Sequence, residues 1–156
     1  MTKSHLLNQI VDGYNDIEPC IVAALALGQN IFIEGAHGTG KTTIGNLLGR
    51  AIDESGRGFR FYAADKANII TIGGLPNNEN SSKTGRIEFL DTDQAIWGAK
   101  IVLVDELPRA DKERQNYWLE IIEQRSFNGV PIQYHMLIAT GNNRTYRGNF
   151  DMDLAL

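Results

Sequence analysis

The chain has 156 residues, enough for one domain that buries about 70% of its unfolded surface. Hydrophobic residues make up 42% and charged residues 22%, close to ordinary globular usage. A net charge of -4 and a pI near 5.3 argue against nucleic acid as the main partner, because neutralising phosphates takes a basic surface; a local basic patch, and with it a DNA contact, stays open but is not indicated.

Along the chain, no apolar core of a signal peptide follows Met1-Thr2-Lys3-Ser4-His5, and no apolar stretch approaches the ~20 residues that span a bilayer, so a cytoplasmic protein without a membrane partner is expected. Leu6, Leu7, Ile10, Val11 and Tyr14 recur at helical spacing. Asp16 is read as the N-cap of a second helix, with Ile17, Glu18 and Pro19 in its first turn and Gly28 ending it after Leu27. Cys20, the only cysteine, lies in its apolar run and reads as a small buried hydrophobe; no internal disulfide can form. Ile31-Phe32-Ile33 reads as a buried strand. From Thr42 onward, Ile44, Leu47, Leu48, Ala51 and Ile52 mark one face of a helix. Phe59 to Tyr62 reads as another strand. Residues 73–86 are polar, turn-rich and aperiodic, and are expected to be a long loop, with Lys83 and Arg86 as candidate contacts for a client or DNA against the plainer reading of a solvent loop. Ile101-Val102-Leu103-Val104 is the most strand-like segment and reads as a central parallel strand. Asp111 can cap a helix burying Tyr117, Trp118, Ile121 and Ile122; Asn128-Gly129 marks a turn; Met136 to Ala139 is a last short strand. The alternation of helices and strands implies an α/β layered domain around a mostly parallel sheet.

Gly35-Ala36-His37-Gly38-Thr39-Gly40-Lys41-Thr42 matches G-x-x-x-x-G-K-[ST] between a predicted strand and a predicted helix, the context in which that pattern cradles phosphates. The glycines let the backbone approach phosphate oxygens without a Cβ in the way. Successive N–H groups and the positive end of the following helix form an anion nest. Lys41 supplies a charge for the β and γ phosphates and Thr42 a hydroxyl for Mg²⁺. The nucleotide-binding set is Gly35, Ala36, His37, Gly38, Thr39, Gly40, Lys41, Thr42 and Thr43, although His37 reads more simply as a solvent-facing loop residue. Asp105-Glu106 ends the apolar strand and should face the loop, since ligands of open α/β sheets bind at the carboxyl ends of strands. Asp105 joins Thr42 as a metal ligand, and Glu106 is the candidate general base for water attack on the γ-phosphate. The plainer reading is an acidic pair at a helix start. Asn142, in Ala139-Thr140-Gly141-Asn142-Asn143, is a second catalytic candidate whose amide would meet the γ-phosphate or the attacking water; ordinary turn chemistry is the alternative.

In order and spacing these segments resemble the AAA+ ATPases, with the MoxR-like branch as the nearest match. Glu34 to Thr42 resembles Walker A, and Val102 to Ala110 resembles Walker B with its Asp-Glu-x-x-Arg-Ala continuation. Gln115 to Arg125 resembles the helix that follows, and Ile138 to Asn143 the sensor-1 strand, with the sensor role on Asn142. His37 and Asn143 depart from that pattern. The resemblance implies a P-loop NTPase three-layer αβα sandwich, the AAA+ large subdomain, over residues 1–156 with N-terminal helices in 4–27. It implies ATP and Mg²⁺ as cofactors, ATPase activity, and self-association into a hexameric ring acting on an unknown protein client. The sequence stops at Leu156, before the family's arginine-finger segment and helical lid, so weak turnover by this chain alone is expected; Arg109, Arg144 and Arg147 are the arginines nearest the catalytic segments. The alternatives are a nucleotide-dependent binding module without efficient turnover, a P-loop phosphotransferase, and a GTPase, since some restriction-system AAA+ proteins use GTP. No Asn-Lys-x-Asp guanine-reading motif occurs, so ATP is preferred.

Overall fold

The computed structural model describes residues 7, 12–53, 55–85, 88–90 and 92–142. Leu6, Ile10, Val11, Arg86, Asn143, Arg144 and Arg147 therefore lie outside the described residues. Helix α1 (Glu18–Leu27) leads to β1 (Ile31–Gly35), α2 (Lys41–Ile52) and β2 (Phe59–Ala63). A short helix α3 (Ile69–Gly73) precedes β3 (Leu75–Pro76), α4 (Asn78–Thr84) and β4 (Phe89–Leu90). Then come β5 (Ile101–Asp105), α5 (Lys112–Leu119), β6 (Ser126–Phe127), β7 (Val130–Pro131) and β8 (Met136–Asn142). The central sheet is parallel, in the order β1-β8-β5-β2.

The period-two alternation of its central strands divides the core into two layers. Ile101 and Leu103 of β5, with Met136 and Ile138 of β8, pack on one face beside Ile33, Ile44 and Leu48. Val102, Val104, Leu137 and Ala139 point to the other face, where Tyr62, Trp118, Ile121 and Phe127 cover them. Residues 101–104 are wholly buried, as a strand covered on both faces must be. Each such aliphatic side chain contributes about 1.5–3 kcal/mol by leaving water. Helix α2 approaches closely because Gly45 and Gly49 carry no side chain: an added Cβ would stand 2.6 Å from Leu103 and 2.2 Å from Phe59.

Several sequence expectations need correction. Asp16 does not cap α1. A turn over residues 14–17 precedes the helix, the N-cap position falls on Ile17, and the N–H groups of Glu18 and Ile21 bond instead to the Tyr14 and Ile17 carbonyls. Gly28 does end α1, with φ 64°. Cys20 is exposed, because α1 is apolar around its circumference and only Ile21 turns fully into the core. In β2 it is Arg60 and Tyr62 that point inward, while Phe61 is exposed; the Arg60 guanidinium is satisfied by the carbonyls of Arg57, Phe59 and Ala95, and the Tyr62 hydroxyl by that of Gln94.

Of the segment expected to be a loop, residues 73–85 are not structureless. They hold β3, which pairs antiparallel with β4, and the exposed helix α4, whose first turn is capped by the Asn77 side chain and whose end is Gly85 with φ 68°. The turn-forming residues act here as caps. Helix α5 starts where expected, with Asp111 accepting from the Arg114 N–H at 3.0 Å, and passes into one turn of π-helix over Glu120–Gln124. Asn128 and Gly129 both have positive φ, the requirement of the tight hairpin joining β6 to β7. Strand β8 runs three residues beyond Ala139, because its pairing with β1 continues through Thr140 and Gly141 to Asn142 opposite Gly35. Among the described residues no helix is long and apolar enough to cross a membrane.

Candidate active site

The face of the sheet that packs on α2 turns polar at its carboxyl end. Ile101-Leu103 continues, two residues on, to Asp105; Met136-Ile138 continues to Thr140 and Asn142. The same alternation that buries the apolar residues under α2 thus delivers oxygen and amide groups beneath its N-terminus.

There the chain turns sharply from β1 into α2. Gly38 and Gly40 take φ 79° and 80°, values that a side chain would strain, and Gly40 occupies the N-cap position without a side-chain cap. The opening N–H groups of a helix have no partners within it, so this end presents donors and partial positive charge. Thr39 braces the loop through its hydroxyl, 2.9 Å from the Ala36 carbonyl. Tyr14 braces it from outside, donating to the Thr39 carbonyl at 2.9 Å; burial raises the pKa of its phenol, which keeps that donor protonated.

A cleft of about 260 Å³ lies over this turn, lined by His37 to Thr43, Asp105, Glu106, Thr140 and Asn142. Lys41 is 8% exposed, and its ammonium donates to the Gly35 and Ala36 carbonyls at 3.0 and 2.7 Å and to Asn142 Oδ1 at 3.2 Å. Asp105 Oδ1 accepts from the hydroxyls of Thr42 and Thr140, each at 2.6 Å. Glu106 follows in the left-handed region, φ 55°, unusual for a residue with a side chain. Its N–H donates to Thr140 Oγ1 at 3.1 Å. Its carboxylate pairs with the Arg109 guanidinium and lies 3.4 Å from the Asn142 amide nitrogen.

Of the residues singled out from sequence, His37 to Thr43, Asp105, Glu106 and Asn142 surround this one cleft. Gly35 and Ala36 contribute carbonyls behind it rather than lining it. Of the two plainer readings, Gly141-Asn142 is strand rather than turn, whereas Glu106 does stand at the start of a helix, the N-cap position of a single 3-10 turn over Leu107–Arg109, though without a side-chain cap. Thr140, Arg109 and Tyr14 were not assigned to the site from sequence. Thr140 had a signal, since it stands two residues before Asn142 and so shares its face of the strand. Arg109 had one too, three residues after Glu106 in a tight turn. Tyr14 had none, lying 25 positions from its partner.

The donor set fits a magnesium ion. Mg²⁺ takes oxygen ligands and is commonly held by one or two protein groups together with water and substrate phosphates. Thr42 and Asp105 supply a hydroxyl and a carboxylate side by side, next to the glycine-rich turn. Among the described residues no cluster of three or more His, Cys, Asp or Glu side chains could hold a metal by itself.

A glycine-rich turn between a strand and a helix, on a parallel sheet with helices on both faces, defines the P-loop NTPase αβα fold. The chain is similar in fold to a putative ATPase from Cytophaga hutchinsonii, at 19% identity and a TM-score of 0.61, over 94% of this chain and 44% of that one. It is also similar to NtrX from Brucella abortus in complex with ATP, at 18% identity and 0.55 over 92% and 32% of the two chains. To NtrX in complex with ADP the values are 20% and 0.54 over 97% and 33%. The chain thus spans less than half the length of these structures. No family model matches it, and no curated protein sequence does.

Proposed function

We propose that this chain is an AAA+ nucleotide-binding core of the MoxR-like branch that binds Mg-ATP and hydrolyses it, working within a ring of like subunits to remodel a protein client. The observation that carries the reading is the juxtaposition of Thr42 and Asp105, 2.6 Å apart, with Glu106 next in the chain and all three on the cleft above the phosphate-binding turn. The likeness in fold to a putative ATPase and to NtrX in complex with ATP and with ADP supports a nucleotide as the ligand.

In this reading the N–H groups of residues 38–43 and the Lys41 ammonium hold the β and γ phosphates. Thr42 and Asp105 would hold Mg²⁺, which when bound offsets charge on the phosphate oxygens. Glu106 takes a proton from water as its oxygen bonds to the γ-phosphorus and the bond to the β-phosphate oxygen breaks, releasing ADP. Asn142 orients the water or a γ-oxygen. The pairing of Glu106 with Arg109 and Asn142 favours one second reading, a module that reports nucleotide occupancy while its base is held away from water.

A panel of ATP, GTP and their diphosphates, titrated with and without Mg²⁺ and followed by phosphate release without any acceptor, tests both. Mg-dependent ATP binding with phosphate release supports hydrolysis. Binding without release supports the occupancy module. Turnover only with an added acceptor, or no nucleotide binding, contradicts the proposal.

A further inference from the structure

Thr140 lines the cleft beside the two acidic residues. It is 1% exposed, so its hydroxyl is satisfied by protein and not by bulk water. It donates to Asp105 Oδ1 at 2.6 Å and accepts the Glu106 N–H at 3.1 Å. A central, fully buried strand position would otherwise be served equally well by valine, which matches threonine in shape and in β-propensity. The hydroxyl is therefore the informative part of the side chain, and both its partners belong to the cleft.

On the reading of the site as an Mg-nucleotide centre, we infer that Thr140 is a positioning residue that sets the metal-facing orientation of Asp105 and the backbone turn of Glu106 through one hydroxyl. Among the described residues, both hydroxyls that reach the Asp105 carboxylate fall on Oδ1, and Asp105 lines the cleft, so in this reading Oδ2 is the oxygen offered to the metal. Thr42 must also offer its oxygen to the metal in this reading, whereas the Thr140 hydroxyl is engaged on both sides by Asp105 and the Glu106 N–H. Its hold on Asp105 is thus the one that persists when Thr42 is engaged. The bond to the Glu106 N–H acts at the residue whose φ of 55° carries strain, and fixes where that carboxylate emerges relative to Asn142. Partners that orient a metal ligand contribute about 10–100-fold to metal affinity or activity.

The test compares Thr140→Ser with Thr140→Ala in the full chain; the two lose the same methyl group and differ only in the hydroxyl. The affinity of a fluorescent ATP analogue is measured across a Mn²⁺ titration and in EDTA, with Mn²⁺ occupancy followed independently by electron paramagnetic resonance. Thr140→Ala is expected to need about 10–100-fold more Mn²⁺ than Thr140→Ser to reach its metal-bound affinity, with Thr140→Ser close to the unsubstituted chain. Thr140→Val, which leaves no cavity, carries the same comparison if Thr140→Ala does not fold. Equal Mn²⁺ requirements with and without the hydroxyl would overturn the inference while leaving the Mg-nucleotide site intact. Failure of that site itself would appear in the unsubstituted chain, as nucleotide affinity indifferent to Mn²⁺, and the inference would fall with it.

Discussion

Lys41 Nζ donates to Asn142 Oδ1 at 3.2 Å, joining the first residue of α2 to the last residue of β8. The contact follows from the pairing of Asn142 with Gly35, which puts the end of β8 beside the strand that feeds the glycine-rich turn. Because the Asn142 amide also reaches toward Glu106, one side chain spans the proposed phosphate-binding lysine and the candidate base. Asn142→Ala is expected to lower turnover by about 10²–10³-fold, the usual effect of removing one donor aimed at developing charge, with a far smaller change in nucleotide affinity. Single-turnover phosphate release and equilibrium binding, run side by side, check this; a loss confined to binding would place Asn142 with the loop and not with the chemistry.

The two acidic neighbours should separate by role. Glu106→Gln is expected to keep Mg-dependent ATP binding and to slow hydrolysis by about 10²–10⁴-fold, the effect of a lost general base. Asp105→Asn is expected to weaken the response of binding to Mg²⁺, since it removes the carboxylate charge beside Thr42. Titrating each variant with nucleotide at several Mg²⁺ concentrations distinguishes them, and the reverse pattern would exchange the assignments.

At the far end of α2, Asp53 gives the fold an acid-sensitive point. Its buried carboxylate accepts the Gly58 N–H, the Ser55 hydroxyl at 2.9 Å and the largely exposed Lys100 ammonium at 3.2 Å. These bonds, the Gly58 N–H foremost, hold its pKa below the ordinary carboxylate value. The stability they contribute is present above about pH 3.9, the unfolded value, and is lost as pH falls through the lower folded one. Asp53→Asn should therefore be less stable than the unsubstituted chain at pH 7, with the gap closing below about pH 4. Urea unfolding across this range measures it; a gap as large at pH 3 as at pH 7 would remove Asp53 from the acid response.

Much of this site was legible because its signals are local. The glycine spacing before Lys41, and an apolar run ending in Asp105-Glu106, each place a chemical group at a strand end without knowledge of the rest of the fold. What depended on the third dimension was not. Tyr14 reaches Thr39 only through the packing of α1's approach against the loop. Cys20 reads as buried in its apolar run but is exposed, since α1 has no polar side to orient it. Residues 77 and 85 read as turn formers because the residues that cap a short exposed helix are those that build turns. Thr140 was readable from its strand alternation once Asn142 was placed, but only the coordinates show its hydroxyl bridging both acidic residues.

The central claim is that residues 35–43 hold a nucleoside triphosphate, and its most direct test is equilibrium titration of the chain and of Lys41→Ala with a labelled ATP analogue in Mg²⁺. The Lys41 ammonium lies against this turn, bonded to the Gly35 and Ala36 carbonyls. The unsubstituted chain is expected to bind saturably and Lys41→Ala to lose detectable binding while keeping its circular dichroism spectrum. Equal affinity in the two proteins would contradict the assignment of this turn as a phosphate site.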